Sequence, residues 1–399
     1  MPPDIPAPVG PAQNLNLIQP VSAGVLAAFV GVASAFTIVL AGFSAVGATR
    51  AEAASGLFAV TVVMGLLSIF LSLRTRMPIT IAWSTPGAAL LISTAAPAGG
   101  YAVAVGAFLV TAVLIVIAGL WRPFGRTVAA IPTPLASAML AGVLFQLCLA
   151  PVQALADVPL LALPIVLTWA VALRFARLYA VPLAVVVTAI VIIAATPLPT
   201  GALAAASLPH PVLIIPEFSV AAIVSIALPL FIVTMASQNI PGLAVLNANG
   251  YRPPVGPIFV WTGAGSIVTA FMGGHSVNLA AITAALCAGP EAHPDPARRW
   301  IAPIACGITA ILLAFGAGYA AAFIEVSPPI LIQAVAGLAL MGSLAGALTH
   351  ALEAERERLP AVVTFAVTAS GIAYFGIGAA FWGLVAGGLL MALLRFRRS

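Results

Sequence analysis

Apolar residues run along this chain in continuous blocks of roughly 17–25, the length a helix needs to cross a bilayer core. The blocks do not alternate with a period of two, which argues for helices and against the strands of a membrane barrel. Polar and charged residues gather between them. Hydropathy predicts fourteen spans: near 21–48, 53–73, 79–95, 99–120, 131–150, 157–173 and 178–196, then 219–246, 255–272, 275–288, 300–323, 328–350, 360–376 and 378–394. The third and tenth are short and interrupted by Pro or Gly. The expected fold class is an all-α polytopic membrane protein.

Composition agrees with that pattern. Of 399 residues, 62% are hydrophobic and only 6% charged, against about 25% charged in soluble domains. So few charges cannot clothe a water-soluble surface. All fifteen basic residues are arginine, which makes topology simple to read. With a cytoplasmic N-terminus, Arg74, Arg76, Arg122, Arg126, Arg174, Arg177, Arg252, Arg298, Arg299, Arg356, Arg358, Arg395, Arg397 and Arg398 lie inside and only Arg50 outside. The positive-inside rule then predicts a multi-pass protein of a bacterial-type inner membrane with both termini cytoplasmic. Because the arginines sit at span ends rather than along one face, the basic balance reports topology and not nucleic-acid binding. Residues 1–20, with Pro2, Pro3, Pro6, Pro8, Pro11 and Pro20 and no basic residue, read as a disordered cytoplasmic lead rather than a signal peptide. Cys148, Cys287 and Cys306 fall within apolar segments at spacings that suit neither zinc nor a disulfide framework, so no metal or cofactor is expected.

Residues 21–196 and 219–395 correspond at an offset of 195: Ala41 and Gly47 match Ala236 and Gly242, and Pro134, Ala141 and Gly142 match Pro329, Ala336 and Gly337. A repeat of seven spans must be inverted in the membrane. Inverted repeats place substrate near the midplane, at paired discontinuous helices, which points to a secondary transporter.

Three segments could carry the chemistry. In ITIAWSTPGAALL, residues 79–91, Ser84 and Thr85 precede Pro86 and Gly87, the mark of an extended stretch followed by a helix N-terminus. Such a half-helix aims N–H groups and a positive dipole end at a cavity; a merely kinked helix with self-bonded hydroxyls is the other reading. In GGHSVNLAAITAALC, residues 273–287, Gly273 and Gly274 break the chain before His275, Ser276 and Asn278. His275 and Asn278, three apart, are expected on one helix face. The ten acidic residues all fall in the lead, in loops or near span ends, so His275, Cys and Tyr apart, is the titratable group placed deepest, a candidate proton site by position. It could equally be a neutral histidine bonded to a neighbour. In SQNIPGLAVLNANGYRPP, residues 237–254, Gln238 and Asn239 put amides where lipid is costly, so they face a partner or a cavity.

At these segments, in NIPGLAVLNANGYRPPVGPIF and in FGIGAAFWGLVAG (375–387), the sequence resembles the benzoate:proton symporter (BenE) family from about residue 20 onward. That family is similar in architecture to nucleobase permeases and sulfate/bicarbonate carriers. The resemblance implies fourteen spans in a 7+7 inverted repeat, with a core domain (21–120 and 219–323) and a gate domain (131–196 and 328–394). Spans three and ten would then each be a short extended segment followed by a half-helix. Nucleobase permeases carry acidic residues in the eighth span and at the start of the tenth, where this chain has Ser237–Gln238–Asn239 and His275. The expectation is import of an aromatic carboxylate, benzoate, with a proton. The carboxylate would lie near Ser84, Thr85, Ser276 and the backbone of Gly87, with hydrogen bonds from Gln238, Asn239 and Asn278; His275 would bind the proton and, when charged, the carboxylate too. Another organic anion, a nucleobase-like substrate or an anion channel stays open, as does a homodimer. An enzyme would need a nucleophile–base pair or metal ligands, and none is visible deep in the spans.

Overall fold

The computed structural model of the chain describes residues 17–121, 132–195, 209–290, 292–325, 327–372, 374 and 379–396. The Pro-rich lead up to residue 16, Arg122, Arg126, Arg397 and Arg398 lie outside the described residues. Helix α1 (Ile18–Ala45) begins inside the expected lead, so residues 18–20 are helical. Pro20 is accommodated because the first turn has no intrahelical use for its missing N–H. Helix α2 (Arg50–Thr75) starts at a capping box in which Thr49 accepts from the Glu52 backbone N–H and Glu52 from that of Thr49.

Next come strand β1 (Ile81–Trp83), helix α3 (Thr85–Ile92), α4 (Tyr101–Leu120), α5 (Thr133–Asp157), α6 (Pro159–Phe175) and α7 (Ala180–Ala195). The second half holds α8 (Val220–Asn247), α9 (Val255–Phe271), β2 (Val277–Leu279), α10 (Ile282–Ala288), α11 (Ile301–Ala314), α12 (Ala317–Glu325), α13 (Pro329–Leu352), α14 (Arg358–Ala369) and α15 (Ala379–Phe396). Among the described residues seven helical stretches are long and apolar enough to cross a membrane, and shorter apolar helices accompany them. The chain is a mainly helical membrane protein.

Small residues set the helix contacts, as expected where lipid supplies no hydrophobic drive between helices. A Cβ on Gly65 would sit 2.6 Å from the Gly307 carbonyl oxygen, and one on Gly307 would sit 2.5 Å from that of Gly65, so α2 and α11 touch backbone to backbone. Helix α13 lies along α5 with α14 beside it, whereas α1, α2 and α4 pack with α3, α9 and α11.

Strands β1 and β2 pair antiparallel, with Ile81 opposite Leu279, Ala82 opposite Asn278 and Trp83 opposite Val277. A two-stranded ribbon leaves outward N–H and C=O groups that hydrocarbon cannot satisfy. Side chains satisfy them instead. The Ile81 N–H donates to Ser68 Oγ on α2 (2.9 Å) and the Val277 N–H to Ser266 Oγ on α9 (2.9 Å). Ser72 Oγ donates to the Ile79 carbonyl (3.0 Å) and Thr269 Oγ1 to that of His275 (2.8 Å).

Helix α8 holds two π turns, Ile223–Ala227 and Met235–Asn239. Each is centred on a serine four residues before a proline, Ser225 before Pro229 and Ser237 before Pro241. That is the carbonyl a proline both clashes with and cannot bond, and widening the turn relieves the clash.

Two expectations are corrected here. The span expected to run unbroken over 300–323 is interrupted between α11 and α12, at Phe315–Gly316, where glycine weakens helix continuity. His275 and Asn278 do not share a helix face. Residues 277–279 form β2, and helix resumes only at Ile282, because pairing with β1 overrides the local helical spacing.

Candidate functional site

A cavity of about 120 Å³ lies where β1, the first turns of α3 and α10, the second π turn of α8, and α1 meet α13. Its polar lining is Thr85, Gln238, Thr283 and Ser343, and its apolar lining includes Val32, Met64, Trp83 and Leu340. Among the described residues, none of the lining side chains is an acid or a base of the Asp, Glu, Arg or His type. Ala27, Ala28, Gly31 and Ala35 of α1 keep the wall low enough to leave the space open.

Ser84 closes the turn from β1 into α3. Its Oγ accepts from the Gly87 N–H (3.1 Å) and from Thr234 Oγ1 (2.9 Å), and Thr234 Oγ1 lies 3.2 Å from Ser276 Oγ. Pro86 follows at the first turn, where it suits a helix start. Gly87 is needed for space: a Cβ there would sit 2.5 Å from Leu230 Cδ1. Beyond this cap, the first N–H groups of a helix have no intrahelical acceptor and present partial positive charge.

The sequence-derived candidates separate into two groups. Thr85 and Gln238 line the cavity. Ser84, Gly87, Asn239, His275, Ser276 and Asn278 are buried behind it, in the ribbon and its supports. Asn239 Oδ1 accepts from the Leu279 N–H at 3.0 Å, holding β2 to the second π turn. His275 Nε2 donates to the Ser84 carbonyl at 3.1 Å, and the ring lies edge-on to Phe43 with centroids 5.4 Å apart. Among the described residues its Nδ1 has no hydrogen-bond partner, and the same holds for Asn278 Oδ1 and Thr80 Oγ1.

Thr283 and Ser343 are lining residues that sequence reasoning passed over. Thr283 stands in an apolar helical run, and only its place in the first turn of the half-helix after β2 distinguishes it. Ser343 is one small residue in a 24-residue apolar helix, with no local mark at all.

Residues 16–393 match the family model described as benzoate membrane transport protein, BenE. The chain belongs to the BenE family. It is similar to Inner membrane protein YdcO of Escherichia coli (strain K12), 42% identical over 372 residues that cover 93% of this chain and 95% of that protein. It is also similar to the Benzoate membrane transport protein of Acinetobacter baylyi, 34% identical over 343 residues covering 85% and 86%. Membership makes the chain a membrane transporter and not an enzyme. Among solved structures, the transmembrane domain of a cyanobacterium bicarbonate transporter, BicA, aligns with a TM-score of 0.59 at 16% identity, over 94% of this chain and 98% of that one. Murine Slc26a9, an anion transporter in the inward-facing state, aligns with a TM-score of 0.62 at 12% identity, over 97% and 70%. At those identities the likeness is one of fold, and it is shared with BenE.

Proposed function

We propose that this BenE-family transporter imports benzoate, or a closely similar aromatic carboxylate, together with a proton. The observation that carries this reading is the cavity's lining: hydroxyl and amide donors beside a helix start, no charged side chain among the described residues, and otherwise apolar walls. A carboxylate placed at the start of α3 takes hydrogen bonds from Thr85, Gln238 and Thr283 and the favourable end of the helix dipole. The ring then packs among Val32, Met64, Trp83 and Leu340. Burying a phenyl group is worth roughly 1.5–3 kcal/mol, a gain that bicarbonate cannot collect. An aromatic acid therefore suits this lining better than the small anion named for BicA.

Fourteen spans in a 7+7 inverted repeat fit the order of elements, with residues 21–120 and 219–323 as core and 131–196 and 328–394 as gate. The close packing of α13 and α14 on α5, against the much slighter contact of α13 with α1, supports that division. Alternating access follows from movement of one group against the other around the cavity, with both termini cytoplasmic.

Import of an anion into a negative interior costs about 2.3 kcal/mol per 100 mV, and a co-transported proton removes that cost. His275 is the proton site in this reading. Its free Nδ1 can take the proton while Nε2 stays bonded to Ser84, the residue that caps α3. In the conformation described here an imidazolium would face Phe43 with no anion beside it, so protonation belongs to another state of the cycle.

The test is twofold. Purified protein titrated with benzoate, cyclohexanecarboxylate and bicarbonate is expected to bind benzoate most tightly, and proteoliposomes are expected to accumulate it when the outside is acidified. Equal affinity for bicarbonate, or no response of accumulation to the pH gradient, would overturn the substrate or the coupling respectively.

A further inference from the structure

Ser343 stands apart from the other polar lining groups. Thr85, Gln238 and Thr283 come from the elements that hold the ribbon and its half-helices, whereas Ser343 comes from α13. On α13 it follows Ala339 and Leu340 on the same face, so its hydroxyl is the polar point in an otherwise apolar wall. Several buried Ser and Thr hydroxyls in these helices donate back to the carbonyl four residues earlier, as Ser68 does to Met64 and Ser266 to Thr262. Ser343 makes no such bond, nor any other hydrogen bond among the described residues. A hydroxyl left open on the wall of an apolar cavity costs free energy when an unsubstituted ring covers it, and gains when the ligand supplies a partner.

We infer that Ser343 is a specificity-determining residue, and that the cavity takes a ring-hydroxylated aromatic carboxylate in preference to the unsubstituted acid. This rests on the reading of the cavity as an aromatic carboxylate site. The carboxylate uses the side-chain donors of Thr85, Gln238 and Thr283, and the ring hydroxyl reaches across to Ser343, donating to its oxygen or accepting from its proton.

The test is calorimetric titration of wild type and Ser343→Ala with benzoate and the ortho, meta and para hydroxybenzoates. Wild type is expected to bind one hydroxybenzoate isomer about tenfold more tightly than benzoate, equivalent to about 1.4 kcal/mol. Ser343→Ala is expected to bind benzoate at least as tightly as wild type while losing the preference for the hydroxylated isomer. Equal melting temperatures of the two proteins keep the comparison one of recognition. Benzoate bound as tightly as every isomer by wild type, or a preference retained in Ser343→Ala, would overturn this inference and leave the aromatic carboxylate reading standing. Absence of binding by every acid would overturn both.

Discussion

Gln238 and Asn239 are neighbours in one π turn, and their side chains do different work. Gln238 faces the cavity with no partner among the described residues, while Asn239 spends its carbonyl oxygen on the Leu279 N–H at 3.0 Å in a fully buried setting. Gln238→Ala removes one hydrogen bond to a charged ligand, about 1.5–3 kcal/mol, which weakens benzoate binding by roughly 10- to 150-fold. It leaves no protein group unsatisfied, so the melting temperature should hold. Asn239→Ala orphans a buried strand N–H, at about 1–3 kcal/mol, and takes nothing directly from the substrate. The expected outcome is a melting temperature several degrees lower, with a smaller loss of affinity passed on through β2. Calorimetric titration and thermal unfolding of the same detergent preparations, with and without benzoate, separate the two. If Gln238→Ala melted early yet bound normally, or Asn239→Ala lost affinity without melting early, the assignment of the two side chains would be reversed.

His275→Gln keeps a donor for the Ser84 carbonyl but cannot titrate; proteoliposomes carrying it should exchange labelled benzoate yet fail to accumulate it under a pH gradient, and accumulation with wild-type pH dependence would make His275 a purely structural residue. Ala339→Phe puts a ring into the cavity and should abolish benzoate binding while the protein elutes and melts as wild type; retained binding would move the site elsewhere. Gly337→Ala forces a Cβ against the Leu147 carbonyl oxygen where α13 crosses α5, so the protein should lose about 1–3 kcal/mol of stability, seen as early melting or aggregation on size-exclusion chromatography.

The long elements were legible to within several residues because bilayer thickness and hydropathy fix their number of turns. Pro86 and the Gly273–Gly274 pair likewise mark where the chain turns into and out of the ribbon. The ribbon's pairing was not legible: three-residue strands carry too little pattern, and spacing alone put His275 and Asn278 on a helix face they do not share. The candidate site was half legible for a related reason. Polar residues in lipid stand out in a sequence whether they serve substrate or backbone, so Gln238 and Asn239 looked alike. Thr283 and Ser343 went unnoticed because a single hydroxyl in an apolar helix has no neighbours to betray it.

The hydroxyls and amides that hold the ribbon from outside also bear on how such a carrier tolerates change. Ser68, Ser72, Ser266, Thr269, Asn239 and His275 complete the ribbon's backbone bonding without help from a ligand. The ribbon is therefore built before anything is carried. Residues on the cavity side can then be exchanged one at a time, each altering what fits without unfastening the strands. On a scaffold arranged in this way, selectivity can drift from one substrate to another by few substitutions, whereas a change on the outer side risks the whole fold.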